Sequence, residues 1–338
     1  MKAAVTVDAF KAEVKETDMP IPGKGQVLIR VLTAGICGGD IRIYKGTFPY
    51  LNYPIINGHE FCGFVIGCGE GADANLEGKY VTVDPTIACN KCYPCRIGKP
   101  NCCTSLKLHG VHINGCFAEF IAVNENHVFP ISEDIPPDIA CLIEPYCIAK
   151  HALNRLRLKE TETLLIFGAG PIGVAAADIA KYLGARVMVA DLIEYRLEIA
   201  KKVNADEVVN SGLPEFGERA KAFTDGDGFA AVLEATGVPA VVELAANYVA
   251  NGGRLCVAGV NDKPFTLSTM LFCNKEIDVI GTRNSNIEFP QVIEMFTKKV
   301  LHPEAMISHT FSLDEYPAAI STAVESIDTC KVIVKISE

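Results

Sequence analysis

The stretch Leu164-Leu165-Ile166-Phe167-Gly168-Ala169-Gly170-Pro171-Ile172-Gly173 decides the fold of the central part of this 338-residue chain. An apolar run of strand length leads into three glycines spaced Gly-Xaa-Gly-Xaa-Xaa-Gly, and a helix-like segment follows. In such a turn the first glycine permits the tight bend, the second lets a pyrophosphate approach the backbone, and the third lets the helix pack against the strand. Free N–H groups at the helix start, which contains Pro171 and Ile172, would face the phosphates. The stretch therefore predicts a dinucleotide site.

The next apolar run, Arg186–Ala190, ends at an acid, Asp191. A carboxylate after the second strand can accept hydrogen bonds from the adenosine-ribose hydroxyls. The same charge would repel the 2′-phosphate of NADP, so the sequence favours NAD. Arg196 has two readings, because it could swing toward a 2′-phosphate or lie on a solvated helix face near the adenine.

Outward from this stretch, strand-like and helix-like segments alternate between residues 163 and 281. Such alternation indicates a doubly wound parallel sheet. The predicted helices include Ile172–Leu183, Glu194–Val203 and Ala240–Val249. The predicted strands are Thr163–Phe167, Arg186–Ala190, Glu207–Asn210, Ala230–Glu234, Arg254–Ala258 and Ile277–Gly281.

The two flanks differ from this central part. Up to about residue 134, short β-like runs alternate with Gly, Pro and Asn turns, which is typical of a β-barrel or folded sheet. The last stretch, from about residue 284, is too small to bury its own core. It should fold back onto the first flank. We therefore expect one domain built from residues 1–148 and 285–338, with a nucleotide-binding domain of residues 149–284 inserted into it.

Composition excludes several functions. Hydrophobic residues make up 49% and charged residues 21%, which is typical of a globular protein and not of a disordered one. The net charge of −10 argues against a nucleic-acid partner. The longest apolar stretch, Leu164–Ala177, is interrupted by glycines and proline and is too short for a membrane span. The opening residues do not resemble a secretory leader. We expect a soluble, cytoplasmic protein that acts on a small molecule.

Fourteen cysteines without a secretory signal point to metal or thiol chemistry and not to disulfides. Cys89, Cys92 and Cys95 recur at a fixed period in a loop, and Cys102-Cys103 follow. Four thiolates so spaced can close around one tetrahedral zinc. The spacing leaves open which of the last two is the fourth ligand. The nine cysteines outside the candidate sites are expected to be small buried residues.

A second set of metal-ligand types is dispersed along the chain. It contains Cys37, the pair His59-Glu60, and Glu144 before Pro145. Each has an ordinary structural reading, because a single cysteine is usually a buried hydrophobe and a His-Glu pair on a loop is usually solvated. Spacing alone does not join them.

Taken in order, these motifs resemble a known family over almost the whole chain. GICGGD (35–40), GHE (58–60), the four cysteines, EP (144–145) and GAGPIG (168–173) resemble the zinc-containing medium-chain dehydrogenases, in the polyol and sugar-acid branch with sorbitol and threonine dehydrogenases. Residues 92–101 and Cys330-Lys331-Val332 are similar to the L-galactonate and L-gulonate 5-dehydrogenase group, including its related starvation-sensing protein. The resemblance implies a GroES-like β-barrel catalytic domain with an inserted Rossmann domain, an α/β fold overall.

The resemblance also implies two zinc ions per chain, NAD as cofactor, and a homodimer or homotetramer, often paired through the last Rossmann strand, here Ile277–Gly281. Asp40 would orient His59 by accepting its other ring N–H. Glu144 would be a fourth ligand or would partner the zinc water. The catalytic zinc would be bound by Cys37, His59 and Glu60, and the structural zinc by Cys89, Cys92, Cys95 and Cys103.

The expected reaction is hydride transfer between NAD and a secondary hydroxyl of a polyol or sugar acid, with zinc as Lewis acid. Many relatives carry a hydroxyl residue and a histidine where this chain has Gly39 and Arg42, so the proton would leave through zinc-bound water, Glu60 or Glu144. Arg283 could grip a substrate carboxylate, or it could lie on a cofactor phosphate or on the surface. An alternative is an NAD- and zinc-loaded sensor with little turnover. A zinc-free reductase is disfavoured, since it would not require the dispersed donors.

Overall fold

Short strands build the N-terminal part of the computed structural model, which describes residues 1–49 and 52–337. Apolar residues alternate inward along these strands, as in Val27, Ile29 and Val31, each with no exposed surface. The strands are β1 (Lys2–Asp8), β2 (Lys11–Glu16), β3 (Gln26–Gly35), β4 (Ile55–Ile56), β5 (Glu60–Cys68), β6 (Tyr80–Val83), β7 (Thr86–Ile87), β8 (Lys107–Leu108), β9 (Phe120–Asn124) and β10 (Val128–Pro130).

The remaining strands are β11 (Thr163–Phe167), β12 (Arg186–Asp191), β13 (Glu207–Asn210), β14 (Phe229–Glu234), β15 (Val249–Val257), β16 (Asp278–Gly281), β17 (Ile307–Ser312) and β18 (Lys331–Lys335). The α-helices are α1 (Gly38–Tyr44), α2 (Tyr93–Arg96), α3 (Pro137–Ala140), α4 (Ile143–Leu156), α5 (Pro171–Tyr182), α6 (Glu194–Lys202), α7 (Phe216–Phe223), α8 (Pro239–Tyr248), α9 (Thr269–Lys275), α10 (Phe289–Thr297) and α11 (Tyr316–Glu325). None of the helices in the described ranges is long and apolar enough to cross a membrane.

Strand β3 is the centre of the β-rich part. A sheet runs in the order β10-β6-β5-β3-β18-β17, with β9 also paired to β3, and a smaller sheet runs β2-β1-β4. The last strand of the chain, β18, pairs antiparallel with β3, with Ile333 opposite Gly35. The C-terminal segment therefore completes the N-terminal sheet, as expected from its small size.

The central part is a six-stranded sheet in the order β13-β12-β11-β14-β15-β16, with every pair parallel. The prediction of a doubly wound parallel sheet is confirmed. Leu164, Leu165 and Ile166 have no exposed surface, as the strand of a sheet covered on both faces requires. Helices α7 and α9 were not predicted.

The chain divides into two compact units. Unit 1 contains Met1–Glu144, Phe289–Lys298 and Ile307–Glu338, and unit 2 contains Pro145–Glu288 and Lys299–Met306. The last of these segments groups with the parallel sheet, although the sequence places all of 285–338 with the first domain. Asp178 of α5 explains the difference, because its carboxylate accepts the backbone N–H of His302 at 2.7 Å and lies 3.0 Å from Nδ1 of the same residue.

Candidate metal centres and dinucleotide site

Three dispersed donors meet in unit 1. Cys37 follows β3 and caps α1, and Glu60 begins β5, where Gly35 and Glu60 lie opposite each other in the antiparallel pair. One donor atom each from Cys37, His59 and Glu60 lies within 4.8 Å of the others. Nδ1 of His59 is buried and has no hydrogen-bond partner among the residues that the structure describes. A thiolate, an imidazole and a carboxylate at this spacing fit a zinc ion.

Asp40 holds the two loops that carry these donors. One of its oxygens accepts the N–H of Cys37 at 2.9 Å, and the other accepts the N–H of Gly58 at 3.0 Å. The sequence-based expectation was a hydrogen bond from the ring of His59 to Asp40. Within residues 1–49 and 52–337 that bond is not formed; the two hydrogen bonds that Asp40 accepts there come from backbone amides. Asp40 orients the backbone here, and Nδ1 of the imidazole has no partner in the described part of the chain.

Lys331 completes this arrangement, and sequence reasoning missed it. Its ammonium has 1% exposure and donates to Glu60 Oε2 at 2.6 Å and to the carbonyl of Ile36 at 3.2 Å. Burial, the largest single influence, lowers the pKa of Lys331, but the charges of Glu60 and Cys37 and the hydrogen bond to Glu60 together outweigh it, and the net shift is upward. Gly35 makes room, since a Cβ there would lie 2.4 Å from Glu60 Oε2. The available signal was a lysine opening the strand Lys331–Lys335, whose three central residues are apolar.

Burial changes the acidity of the donors. It raises the pKa of the Cys37 thiol, and the charge of Glu60 raises it further. A thiolate at this position therefore depends on a compensating cation.

Glu144, in the first turn of α4, is 5% exposed and does not join the three-donor group. Burial raises its pKa to about 8, with Glu60 acting in the same direction and His59 opposing.

Four cysteines form a second group around α2. One sulfur each from Cys89, Cys92, Cys95 and Cys103 lies within 4.8 Å of the others. Cys103, not Cys102, belongs to the group, and its sulfur accepts the N–H of Cys89 at 3.2 Å. Backbone N–H groups lower the pKa of the Cys92 thiol to about 5, while burial raises that of Cys95 to about 12. The closed set of four sulfurs suits a structural zinc.

The three glycines of the dinucleotide turn differ in what surrounds them. Gly168 has φ +100°, and a Cβ there would lie 2.9 Å from Thr236 Cγ2. A Cβ on Gly173 would lie 1.8 Å from the Gly168 oxygen, whereas one on Gly170 would meet nothing within 4 Å. Gly170 caps α5, with Pro171 as the first helical residue and Ile172 next. Of the three glycines, only Gly170 has open space beside it, so the turn fits a pyrophosphate at that position.

The acid and the two arginines of the sequence prediction all lie in unit 2. Asp191 ends β12, and its carboxylate accepts the N–H groups of Ala169 at 2.6 Å, Leu192 at 2.7 Å and Ile193 at 2.9 Å. Arg196 is half-buried on α6, and Arg283 is exposed just after β16. The turn and Asp191 are thus joined by a hydrogen bond, while Arg283 is not in the same unit as the three metal donors.

Two family models match the chain. The alcohol dehydrogenase GroES-like domain matches residues 23–133, and the zinc-binding dehydrogenase domain matches residues 171–298. The first contains Cys37, His59 and Glu60 and the four-cysteine group. The second begins inside the glycine-rich turn.

Several relatives match over nearly the full length. The chain is 34% identical to the starvation-sensing protein RspB of Escherichia coli K12, covering 100% of both, and 33% identical to L-galactonate-5-dehydrogenase of the same strain, covering 88% of this chain and 87% of the relative. The crystal structure of an RspB alcohol dehydrogenase from E. coli CFT073, complexed with NADH, superimposes with a TM-score of 0.94 at 33% identity over 99% of each chain. The chain therefore belongs to the zinc-containing medium-chain dehydrogenase family and is an oxidoreductase of its polyol and sugar-acid branch.

Proposed function

We propose that the protein oxidises a secondary hydroxyl of a polyol or sugar acid, with NAD as hydride acceptor and zinc at Cys37, His59 and Glu60. The observation that carries the proposal is the convergence of these donors, with a buried, unpartnered His59 Nδ1, in a chain that also has the open Gly170 turn. The NADH-bound relative supports the choice of cofactor. Asp191 supports it independently, because its charge disfavours a 2′-phosphate.

When bound, zinc supplies a Lewis acid that lowers the pKa of an alcohol, and NAD supplies the hydride acceptor. The chain's own residues then position the metal donors and accept the proton of the alcohol. Asp40 fixes the loops of Cys37 and His59, and Lys331 holds the carboxylate of Glu60. Glu144 takes the alcohol proton, because Gly39 offers no hydroxyl for a relay and burial raises the pKa of the Glu144 carboxyl above its ordinary value, which favours proton uptake.

The test is NADH formation, followed by absorbance, with a panel of polyols and aldonates, together with metal analysis. Turnover with about two zinc ions per chain is the expected result. Zinc-loaded protein that binds NADH but turns over none of the panel would instead favour the sensor reading. The absence of zinc would refute the proposal.

The variant Glu144→Gln distinguishes a role of Glu144 in proton transfer from a role as a zinc ligand. If the residue carries the proton, turnover should fall by about 10²- to 10⁴-fold while the zinc content stays near two per chain. Parallel losses of zinc and turnover would show that Glu144 acts as a ligand.

We also propose that the protein assembles as a homodimer or homotetramer. Strand β16 is the terminal strand of the parallel sheet, and Met270 and Phe272 of the neighbouring sequence segment are 60% and 41% exposed. A terminal strand, together with exposed apolar side chains on the helix that precedes it in the chain, favours pairing with a second copy. Light scattering after size-exclusion chromatography measures the assembly; a monomer at micromolar concentration would rule it out.

A further inference from the structure

Two consecutive glycines leave one face of helix α1 bare beside the metal donors. A Cβ on Gly39 would lie 3.7 Å from His59 Cε1 and 4.0 Å from Cys37 Sγ, which are ordinary contact distances. A Cβ on Gly38 would meet nothing within 4 Å. At these two positions of the first turn, therefore, no side chain covers the donors.

Arg42 lies on the same helix face, one turn further on. Residues three and four apart are neighbours on a helix surface, so residue 42 follows both Gly38 and Gly39 on that face. Helical side chains also tilt toward the N-terminus, which is the direction of the two glycines. Arg42 is half-buried, and its guanidinium lies 5.6 Å from the ring centre of Phe48. The ring gives the cation an aromatic contact and restricts its motion.

No anion in the described residues neutralises Arg42. Within residues 1–49 and 52–337 its guanidinium makes no hydrogen bond or ion pair. The nearby acids are engaged elsewhere: Asp40 accepts two backbone amides, and Glu60 is paired with Lys331. A half-buried guanidinium without an anion gains substantially when a ligand supplies one. Its planar fork matches a carboxylate in two parallel hydrogen bonds.

We propose that Arg42 is a specificity-determining residue that binds the carboxylate of a hydroxy-acid substrate, and so selects sugar acids over neutral polyols. The inference rests on the proposed function and names the substrate class of that site. A cofactor phosphate carries the same anionic chemistry. We assign the substrate because Arg42 belongs to the same unit, and to the same seven-residue helix, as the segment that places Cys37.

The experiment compares L-gulonate with sorbitol, its neutral reduced form, in wild-type protein and in Arg42→Met and Arg42→Lys. A lost charge-assisted pair should raise the KM for gulonate about ten- to hundredfold in Arg42→Met, with partial recovery in Arg42→Lys. The KM for sorbitol, the Kd for NADH from fluorescence titration and the zinc content should change less than twofold. Lys45→Met, which removes a cation next to the same helix, is the matched control and should behave as wild type.

Equal increases in the KM values for gulonate and sorbitol would overturn the inference. A higher Kd for NADH, with no difference between the two substrates, would also overturn it and would assign Arg42 to the cofactor. If wild type turns over neither substrate, the proposed function fails, and calorimetry decides the inference separately. Gulonate binding to zinc-loaded wild type that is lost in Arg42→Met would support it. No gulonate binding to wild type would refute it.

Discussion

The Glu60–Lys331 pair illustrates how one residue sets the character of the metal site. Both side chains are at most 2% exposed, so each charge depends on the other for compensation. Two charges can leave water only when their mutual attraction repays the desolvation. Zinc would bring a second cation to the same carboxylate, so the pair and the metal share one anion.

Replacing Lys331 by Met should therefore destabilise the metal-free protein more than the zinc-loaded one. Without its partner, the buried carboxylate of Glu60 costs about 3–5 kcal/mol. Bound zinc supplies the missing positive charge and offsets part of this loss. Urea unfolding with zinc and with chelator measures both values.

The matched control is Lys335→Met on the same strand. Lys335 is 56% exposed and pairs with Asp138 at 3.3 Å, so its loss should cost at most about 1 kcal/mol in either state. Equal destabilisation of the metal-free and zinc-loaded forms by Lys331→Met would contradict the account.

The adjacent cysteines 102 and 103 provide a test of the structural site. Cys103→Ser removes a thiolate from the four-sulfur group and should lower the zinc content from about two to about one per chain. Cys102→Ser should leave it at two, because that residue lies outside the group. Zinc loss in both variants, or in Cys102→Ser alone, would mean that the ligand assignment is wrong.

Single side chains mark the limit of what the sequence could predict. The donors Cys37, His59 and Glu60 were identified by resemblance, but the partner of Glu60 lies 271 residues away and only the β3–β18 pairing reveals it. Asp40 was predicted to accept a hydrogen bond from the His59 ring, but it accepts two backbone amides instead. Whether a carboxylate accepts from an imidazole or from a backbone amide depends on loop geometry, which residue types do not encode.

At the scale of elements, the turn between β11 and α5 carries the next prediction. Gly173→Ala places a methyl group 1.8 Å from a backbone oxygen, so the helix must move away from the strand. We expect a loss of about 1–3 kcal/mol in unfolding free energy, together with weaker NADH binding. Equilibrium unfolding and NADH fluorescence measure the two effects.

Gly170→Ala is the paired variant. Its methyl group meets nothing within 4 Å, and φ there is −73°, which alanine adopts without strain. Stability should stay within about 0.5 kcal/mol of wild type, while the Kd for NADH rises at least tenfold because the methyl group fills space meant for the pyrophosphate. Unchanged NADH affinity would place the pyrophosphate elsewhere.

Strands of the parallel sheet were predicted more accurately than the elements around them. Thr163–Phe167 and Glu207–Asn210 agree in both bounds, because buried parallel strands are continuous apolar runs closed by turn residues. Strand β15 begins at Val249, five residues before the prediction, because polar Asn251-Gly252-Gly253 interrupts its apolar pattern. The missed helix α9 has seven residues, and its apolar ones, Met270 to Cys273, are consecutive, so they produce no helical period.

At the scale of the whole molecule, the chain passes from unit 1 to unit 2 after Glu144 and returns after Glu288. The sequence predicted that one domain interrupts the other, since the C-terminal stretch is too small to bury a core alone. It could not identify which contacts hold the segment that ends at Glu288, where the chain leaves unit 2. That depends on contacts between α4 and the segment before Phe289, which are 134 or more residues apart.

Glu288 makes those contacts. It is 2% exposed, lies 2.9 Å from His151 Nδ1, and accepts hydrogen bonds from Asn154 Nδ2 at 3.0 Å and from the N–H of Asn286 at 2.6 Å. Burial acts to raise the pKa of this carboxyl, but the hydrogen bonds prevail, beginning with that from His151, and lower it from 4.5 to about 2. The ionised form is therefore the one that the fold stabilises.

The pH dependence follows from the direction of this shift. A depressed carboxyl pKa contributes stability that is fully present above about pH 4.5 and is lost as the pH falls through about 2. Glu288→Gln should therefore be less stable than wild type by up to about 3 kcal/mol at pH 7, and the gap should close toward pH 2. Urea unfolding of chelated protein measures the gap free of zinc release. The control Glu304→Gln, at an exposed position, should have the same unfolding free energy as wild type at every pH. If the difference between Glu288→Gln and wild type stays constant from pH 7 to pH 2, the charge of Glu288 does not stabilise this segment.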